Sequence, residues 1–396
     1  MPLIGNEYTY FIEKMTRKLI LLFSLFFAVQ MLAQDDIEII NIENRAVQAY
    51  LADAQRTYAN DSDYSVSVIE KYNNTDKYGT KLYRPQGKEV FWTPTTDAEY
   101  IDEIRITVAD NEYYDNPYTF NSDKTSASSY VICNLLPNKT YYYKVEEFLK
   151  DATWNERTSG VFRTTGQVRM IQVRGCSNVR DLGGWPTQYG KPIVYGRMFR
   201  SGNLDNITAI GRHDFVDNLG VTAELDLRKE SKKTTSPMGD NVKYLRIAHG
   251  GYLSALKNRY DVYPQDLKWI IARLHEGRNV DWHCAIGCDR CGTLCFLIEG
   301  LLGVSELDIC RDYELSTFMF SRKNKRVRSP LKGMFDYIRT FGPSDNLAKC
   351  FYNYWLSLGM KRQELDYVIG VMLDIPRFKE ENYKAPSSDY DYDYYY

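Results

Sequence analysis

Three cysteines, a histidine and an arginine share the short stretch HCAIGCDRCGT, His283 to Thr293. Three kinds of chemistry fit such a set. Cys284, Cys288 and Cys291 are spaced by three and then two residues, as in the cluster-binding motif that cleaves S-adenosylmethionine. That chemistry normally opens a large barrel, yet only the last quarter of the chain follows Cys291. A zinc site would need His283 and Cys284 as adjacent ligands, which suits the usual ligand spacings poorly. The third reading is one nucleophilic thiol. Cys284 opens a loop and Arg290 closes it with five residues between, while Gly287 and Gly292 let the backbone wrap closely. Converging loop amides, a helix N-terminus and a guanidinium hold an anion and pull a thiol pKa from about 8.5 into the range of roughly 3.5 to 7.5. A thiol so activated is a competent nucleophile. On this reading neither a metal nor a cofactor is expected.

The elements around the stretch suit it. NVDW reads as a short strand feeding the loop, and GTLCFLIEGLLG as a buried helix leaving it. TAELDLR and NVKYLRIA read as strands, and PQDLKWIIARLHEG as a helix stopped at Gly277. SELDICRDYELSTFMF, LKGMFDYIRTF, LAKCFYNYWLSLG and KRQELDYVIGVML all read as helical. The expectation is an α/β domain with a parallel-type central sheet and C-terminal helices.

HCAIGCDRCG resembles the phosphate-binding loop of cysteine-dependent tyrosine phosphatases, with His283, Cys284, Gly287, Asp289, Arg290 and Gly292 in matching places. NVRDLGG (Asn178 to Gly184), GRMFRSGNL (Gly196 to Leu204) and LGVTAELDLRKE (Leu219 to Glu230) resemble the bacterial branch of atypical tyrosine and lipid phosphatases, and CRDYELS (Cys310 to Ser316) does so less sharply. The likeness covers roughly residues 168 to 375. It implies attack on phosphorus by Cys284, stabilisation of the equatorial oxygens by Arg290 and the amides of residues 285 to 290, and a thiophosphate intermediate released by water. The phosphate-binding set is then Ala285, Ile286, Gly287, Cys288, Asp289 and Arg290. Asp226 is the first candidate for the general acid and Asp289 the second; an ion pair of Asp226 with Arg228 or Arg180 is the competing reading. Arg180, Asp181 and His283 are candidates for the pocket border, with a buried pair pinning the glycine turn, and a structural histidine tuning the thiolate, as alternatives. His213, His249 and His275 show no companion residues.

Two departures bear on activity. Loops of that branch often read GKDRTG, whereas Cys288 here replaces the lysine and Cys291 the hydroxyl residue after the arginine. Loss of the lysine charge favours phosphotyrosine in proteins, or a small phosphomonoester, over phosphoinositides and inositol phosphates. Loss of the hydroxyl leaves open a weak or inactive phosphate-binding module, and the thiols leave open a disulfide from Cys284 to Cys288 or Cys291. Cys133, Cys176 and Cys350 read as small buried hydrophobes.

Across the whole chain, 396 residues with 44% hydrophobic and 26% charged residues are globular in composition and suffice for two or three domains. Fifty basic against fifty-two acidic side chains leave a net charge of −2, so nucleic acid is not expected as a partner. Arg17 and Lys18 precede the apolar run LILLFSLFFAV, and Met31 and Ala33 suit a signal-peptidase site, so residues 1–33 read as an export signal whose start is Met15 if residues 1–14 are an over-long beginning. The mature protein is then periplasmic or secreted, with no membrane span. Residues 34–63 form an N-terminal segment containing one helix, NRAVQAYLADAQRTY. Within 64–166 the short runs SVSVIEKY, KEVFWTP, EIRITVAD, SYVICNL, TYYYKVEEF and SGVFRTT alternate and are split by turns, resembling a fibronectin type III-like all-β sandwich able to bind another protein or a glycan. The phosphatase-like domain spans 167–378, and 379–396 is a Tyr/Asp-rich disordered tail.

Overall fold

The computed structural model describes residues 37–57, 64, 69–72, 85–94, 97–122, 124–258, 262–319 and 326–376. The expected export signal and acidic tail lie outside the described residues, as does the end of the N-terminal segment. No helix among the described residues is long and apolar enough to cross a membrane.

The alternating runs of the N-terminal half form two sheets. Strands β1 (Glu38–Asn41), β3 (Ile101–Ala109), β4 (Tyr118–Asn121), β6 (Thr140–Leu149) and β7 (Trp154–Thr165) order as β1-β7-β6-β3-β4, while β2 (Lys88–Phe91) pairs antiparallel with β5 (Ser129–Ile132). Val90 and Ile132 of the small sheet share one apolar cluster with Ile104, Ile106, Val145 and Phe162 of the large one. Among the described residues every pairing here is antiparallel except β1 with β7, which run side by side in parallel.

The stretch SVSVIEKY departs from expectation. Ile69–Tyr72 is a helical turn, not a strand. Ile69 and Tyr72, three apart, point the same way on a helix, and both are buried in the core of the C-terminal half. Helix α1 (Arg45–Thr57) joins the same core through Ala46, Val47, Tyr50 and Leu51.

The C-terminal half is built on a six-stranded sheet, β12-β11-β13-β10-β9-β8. Strands β10 (Met198–Ser201), β11 (Val221–Asp226), β12 (Lys243–Arg246) and β13 (Asn279–His283) are mutually parallel, whereas β9 (Cys176–Asp181) and β8 (Met170–Val173) close the edge antiparallel. The expected parallel sheet is therefore the inner and β12 side of a mixed one. Helix α2 (Val262–His275) precedes β13 and ends near Gly277, whose φ of 78° a side-chain-bearing residue rarely adopts. Helices α3 (Asp289–Leu301), α4 (Glu306–Leu315), α5 (Ser329–Arg339), α6 (Leu347–Ser357) and α7 (Arg362–Leu373) supply the remaining core. Strand β13 lies between β11 and β10, so its carboxyl end opens where parallel sheets place ligands.

Candidate active site

The chain leaves β13 at His283, turns through residues 284 to 288 and enters α3 at Asp289. Its carbonyls are pulled outward one after another. Ala285 O accepts from Asn203 Nδ2 at 2.8 Å, Ile286 O from Asn178 Nδ2 at 3.1 Å, and Gly287 O and Cys288 O from Arg200 Nη2 at 2.8 and 3.2 Å. A planar trans peptide sends the next N–H opposite to its carbonyl, so the amides that follow face inward. The amides of Ile286 and Cys291 reach the Cys284 sulfur. Gly287 makes the turn at a φ of 69°, and a Cβ there would sit 2.5 Å from the Ser201 carbonyl oxygen. Only glycine fits, so the loop rests directly on β10.

The groups holding those carbonyls are braced in turn. Asp312 on α4 accepts from Arg180 Nε at 2.9 Å and from Arg200 Nη1 at 2.5 Å, and all three side chains are buried. Burial pushes the Asp312 carboxyl up, but the two guanidiniums outweigh it and hold its pKa below the usual value. Arg180 Nη1 also donates to Asn178 Oδ1 at 2.6 Å, fixing which amide atom faces the loop. Asp181 accepts from the Gly183 and Gly196 amides at 2.9 and 2.7 Å and from Arg169. Arg180, Asp181 and His283 are thus buried braces. Arg180 and Asp181 alternate across β9 and face different partners, so they are not a pair with each other.

The Cys291 side chain donates to the Cys284 sulfur, and this is the largest influence lowering the Cys284 pKa. Burial opposes it; the amides of Cys291 and Ile286 and the charge of Arg290 add to it, and the thiol falls to about 5. A thiol thus stands where the hydroxyl of the resembling loops would be. Cys291 itself is pushed well up, by burial first and then by Cys284. Cys288 points to the other side of the loop, 3.5 Å from Ile286 O and from Asn178 Nδ2, and burial raises its pKa to about 11. Arg290 offers Nη1 and Nη2 to Glu230 at 3.1 and 2.9 Å, which leaves its Nε edge for an anion.

The two acid candidates separate clearly. Asp226 is buried, and both its oxygens bond Arg228, at 2.8 Å each. Burial pushes its pKa up, yet Arg228 and the His283 charge outweigh that and hold it low. The ion pair with Arg228, the competing reading of this residue, is therefore formed. Asp289 lies at the first turn of α3, its side chain 38% exposed, and accepts from Tyr252 Oη at 2.5 Å and Arg326 Nε at 2.9 Å. Neither partner was evident from sequence spacing. His283 Nε2 lies 2.9 Å from Glu224 Oε1; burial pushes the imidazole pKa down, but Glu224 outweighs it and the value rises. The other histidines do have companions: His249 faces Asp266 at 3.1 Å, His213 bonds Asp217 and Thr119, and His275 packs on Tyr367. No group of three or more His, Cys, Asp or Glu side chains among the described residues is arranged to hold a metal ion.

Residues 171–357 match the tyrosine phosphatase family, a span that begins in β8 and ends with α6. These residues form a tyrosine phosphatase domain. The chain also aligns with a curated protein of Cupriavidus necator whose name is a provisional assignment as a tyrosine-protein phosphatase: 23% identity over 183 residues, 40% of this chain and 67% of the relative. The phosphatase is accordingly a phosphoric ester hydrolase. Asn178, Arg180, Arg200, Asn203, Asp312 and the loop they brace all lie inside the matched span of this phosphatase.

Proposed function

We propose that the protein is a cysteine-dependent phosphomonoesterase acting through a thiophosphate intermediate, with phosphotyrosine in proteins as its substrate. The carrying observation is the inward turn of the 286 to 289 amides around a sulfur whose pKa is lowered to about 5. In this mechanism Cys284 attacks phosphorus in line, forming the S–P bond as the ester P–O bond breaks. The loop amides and the Nε edge of Arg290 take the charge on the equatorial oxygens. Asp289 supplies the proton to the departing oxygen: both carboxyls are ion-paired, but Asp226 is buried whereas Asp289 is partly exposed at the loop, where its pair with Arg326 can open. Water then attacks phosphorus and returns Cys284 as thiolate.

The apolar run after Lys18 supports export, and the shared core of the two N-terminal sheets supports a fibronectin type III-like sandwich as a docking domain for protein or glycan. Phosphate release from phosphotyrosyl, phosphoseryl, phosphoinositide and inositol hexakisphosphate substrates tests the catalytic reading, with Cys284→Ser and vanadate as controls. Release from phosphotyrosyl peptides that vanishes in Cys284→Ser is the expected result. Phosphate or vanadate binding without turnover in the wild type would reduce the site to a binding module.

A further inference from the structure

Asp289 is gripped from two sides, by Arg326 and by Tyr252. Tyr252 opens the short helix Tyr252–Asn258 at a φ of 65°, a left-handed conformation that a residue with a side chain rarely adopts and that Gly250 or Gly251, just before it, would take freely. Both ends of Tyr252 reach the first turns of α3. Its N–H donates to Thr293 Oγ1 at 2.8 Å, and that hydroxyl donates to the Asp289 carbonyl at 2.8 Å. Its phenol donates to Asp289 Oδ1 at 2.5 Å. Tyr313 Oη, on α4, lies 2.6 Å from Tyr252 Oη, and its ring comes up against Gly292, where a Cβ would sit 3.0 Å from Cδ2.

An ionised carboxylate only accepts, so the single Tyr252 proton goes to Asp289 and Tyr313 supplies the proton between the two phenols. Burial first, and then Tyr313 and Asp289, push the Tyr252 pKa up, which keeps the phenol protonated. The two carboxyl oxygens are left unequal. Oδ1 takes Tyr252 and also Arg326 Nε at 2.9 Å, whereas Oδ2 has, among the described residues, one longer contact from Arg326 Nη2 at 3.2 Å.

We propose that Tyr252 is a positioning residue for proton transfer: its phenol, backed by Tyr313, fixes the Asp289 carboxyl through Oδ1 so that the proton passes to the departing oxygen from Oδ2. The inference rests on Asp289 being the general acid assigned above. In the transfer the Oδ2–H bond breaks and the ester oxygen takes the proton as its bond to phosphorus breaks, leaving a carboxylate; the attacking water returns a proton to it in the second step. Tyr252 keeps its own proton throughout, because Oδ1 still accepts when Oδ2 is protonated. Arg326 Nη2 has to leave Oδ2 for that proton to sit there. The Tyr252 bond does not have to break, and a phenol anchored by its own backbone to the same helix turn holds the carboxyl in place while the ion pair opens.

The test compares wild type, Tyr252→Phe, Asp289→Asn and the double variant, as full chains, on an alkyl phosphate and on p-nitrophenyl phosphate. Tyr252→Phe keeps the ring and removes only the hydroxyl. On the alkyl phosphate its kcat should fall about 10- to 10²-fold with KM within about twofold, and far less on p-nitrophenyl phosphate, whose leaving group needs no proton. In the Asp289→Asn background the same substitution should change kcat by less than about twofold, since no acid is left to position. Tyr313→Phe, which removes the donor behind Tyr252, should repeat the pattern at smaller amplitude, and it carries the test alone if Tyr252→Phe does not fold. A loss that is equal on both substrates, or that multiplies with the loss from Asp289→Asn, marks a purely structural role and overturns the proposal. Wild-type kinetics in Tyr252→Phe beside a leaving-group-dependent loss in Asp289→Asn overturns the positioning role alone and leaves the acid assignment standing. A wild type without turnover, or an Asp289→Asn variant as active as wild type on the alkyl phosphate, refutes the catalytic reading above and the positioning role with it.

Discussion

Asp312 is the residue whose loss tests most directly how the loop is held. Its carboxylate, 1% exposed, is shared by two guanidiniums that are 0% exposed. Leaving one buried charge without its partner costs about 3 to 5 kcal/mol, against a total domain stability of about 5 to 15 kcal/mol. Asp312→Asn keeps an oxygen in place but strands the charges of Arg180 and Arg200. The structure also holds a reserve. Both carboxyl oxygens of buried Glu299 lack a hydrogen-bond partner, and burial together with the Asp312 charge pushes its pKa well above the usual value. Removing the Asp312 charge lets Glu299 ionise toward Arg200, so the single variant falls at the low end, about 3 kcal/mol. Asp312→Asn with Glu299→Gln should then cost more than the two single changes added together. Urea titration of the full chain, followed by fluorescence of the buried Trp185, Trp282 and Trp355, measures each variant. A single variant within about 0.5 kcal/mol of wild type, the range of an ordinary surface change, would refute the brace.

Three further outcomes follow from the same geometry. Because the Cys284 pKa is lowered to about 5, its thiolate persists above that pH, so the rate of iodoacetamide alkylation is flat from pH 6 to 8 and falls below about pH 5; Cys291→Ala moves that midpoint upward, and an unmoved midpoint would show that the thiol contact is idle. Gly287→Ala meets both a positive φ, costing about 1 to 2 kcal/mol, and the Ser201 carbonyl, so it should abolish vanadate binding while the far-ultraviolet circular dichroism stays as in wild type. Asp289→Asn should lower kcat by about 10² to 10⁴ on alkyl phosphates and far less on p-nitrophenyl phosphate, whose leaving group needs no proton, whereas Asp226→Asn should show its main effect as a lower urea midpoint.

The loop and its flanking strand and helix were legible because their signals are local: glycine positions, an apolar strand, a buried helix. The braces were not. Arg180 and Arg200 sit inside short strands where hydrophobic patterning expects apolar side chains, and the carboxylate that makes their burial tolerable is 132 and 112 residues away. For the same reason Asp226 could be named but not assigned, since its partner Arg228 is only two residues on while its burial depends on the whole sheet. Ile69–Tyr72 read as a strand because alternation over a few residues fits either period, and only burial against a distant core settles it. His249 gave no hint of Asp266, which comes from a separate helix.

The parallel run of β1 beside β7 has a mechanical corollary. One strand leads toward the catalytic half near Asn41 and the other near Thr165, at adjacent points, and Glu43 then accepts the amides of both Gln167 and Val168 at 2.7 and 2.6 Å. A lone tether would let the β-rich half swivel; two neighbouring crossings, clamped by one carboxylate and followed by Tyr50 lodged against Glu314 and Arg328, resist torsion. A partner docked on the N-terminal sheets, as proposed above, would meet the Cys284 loop at a set bearing, as by a jig rather than a leash.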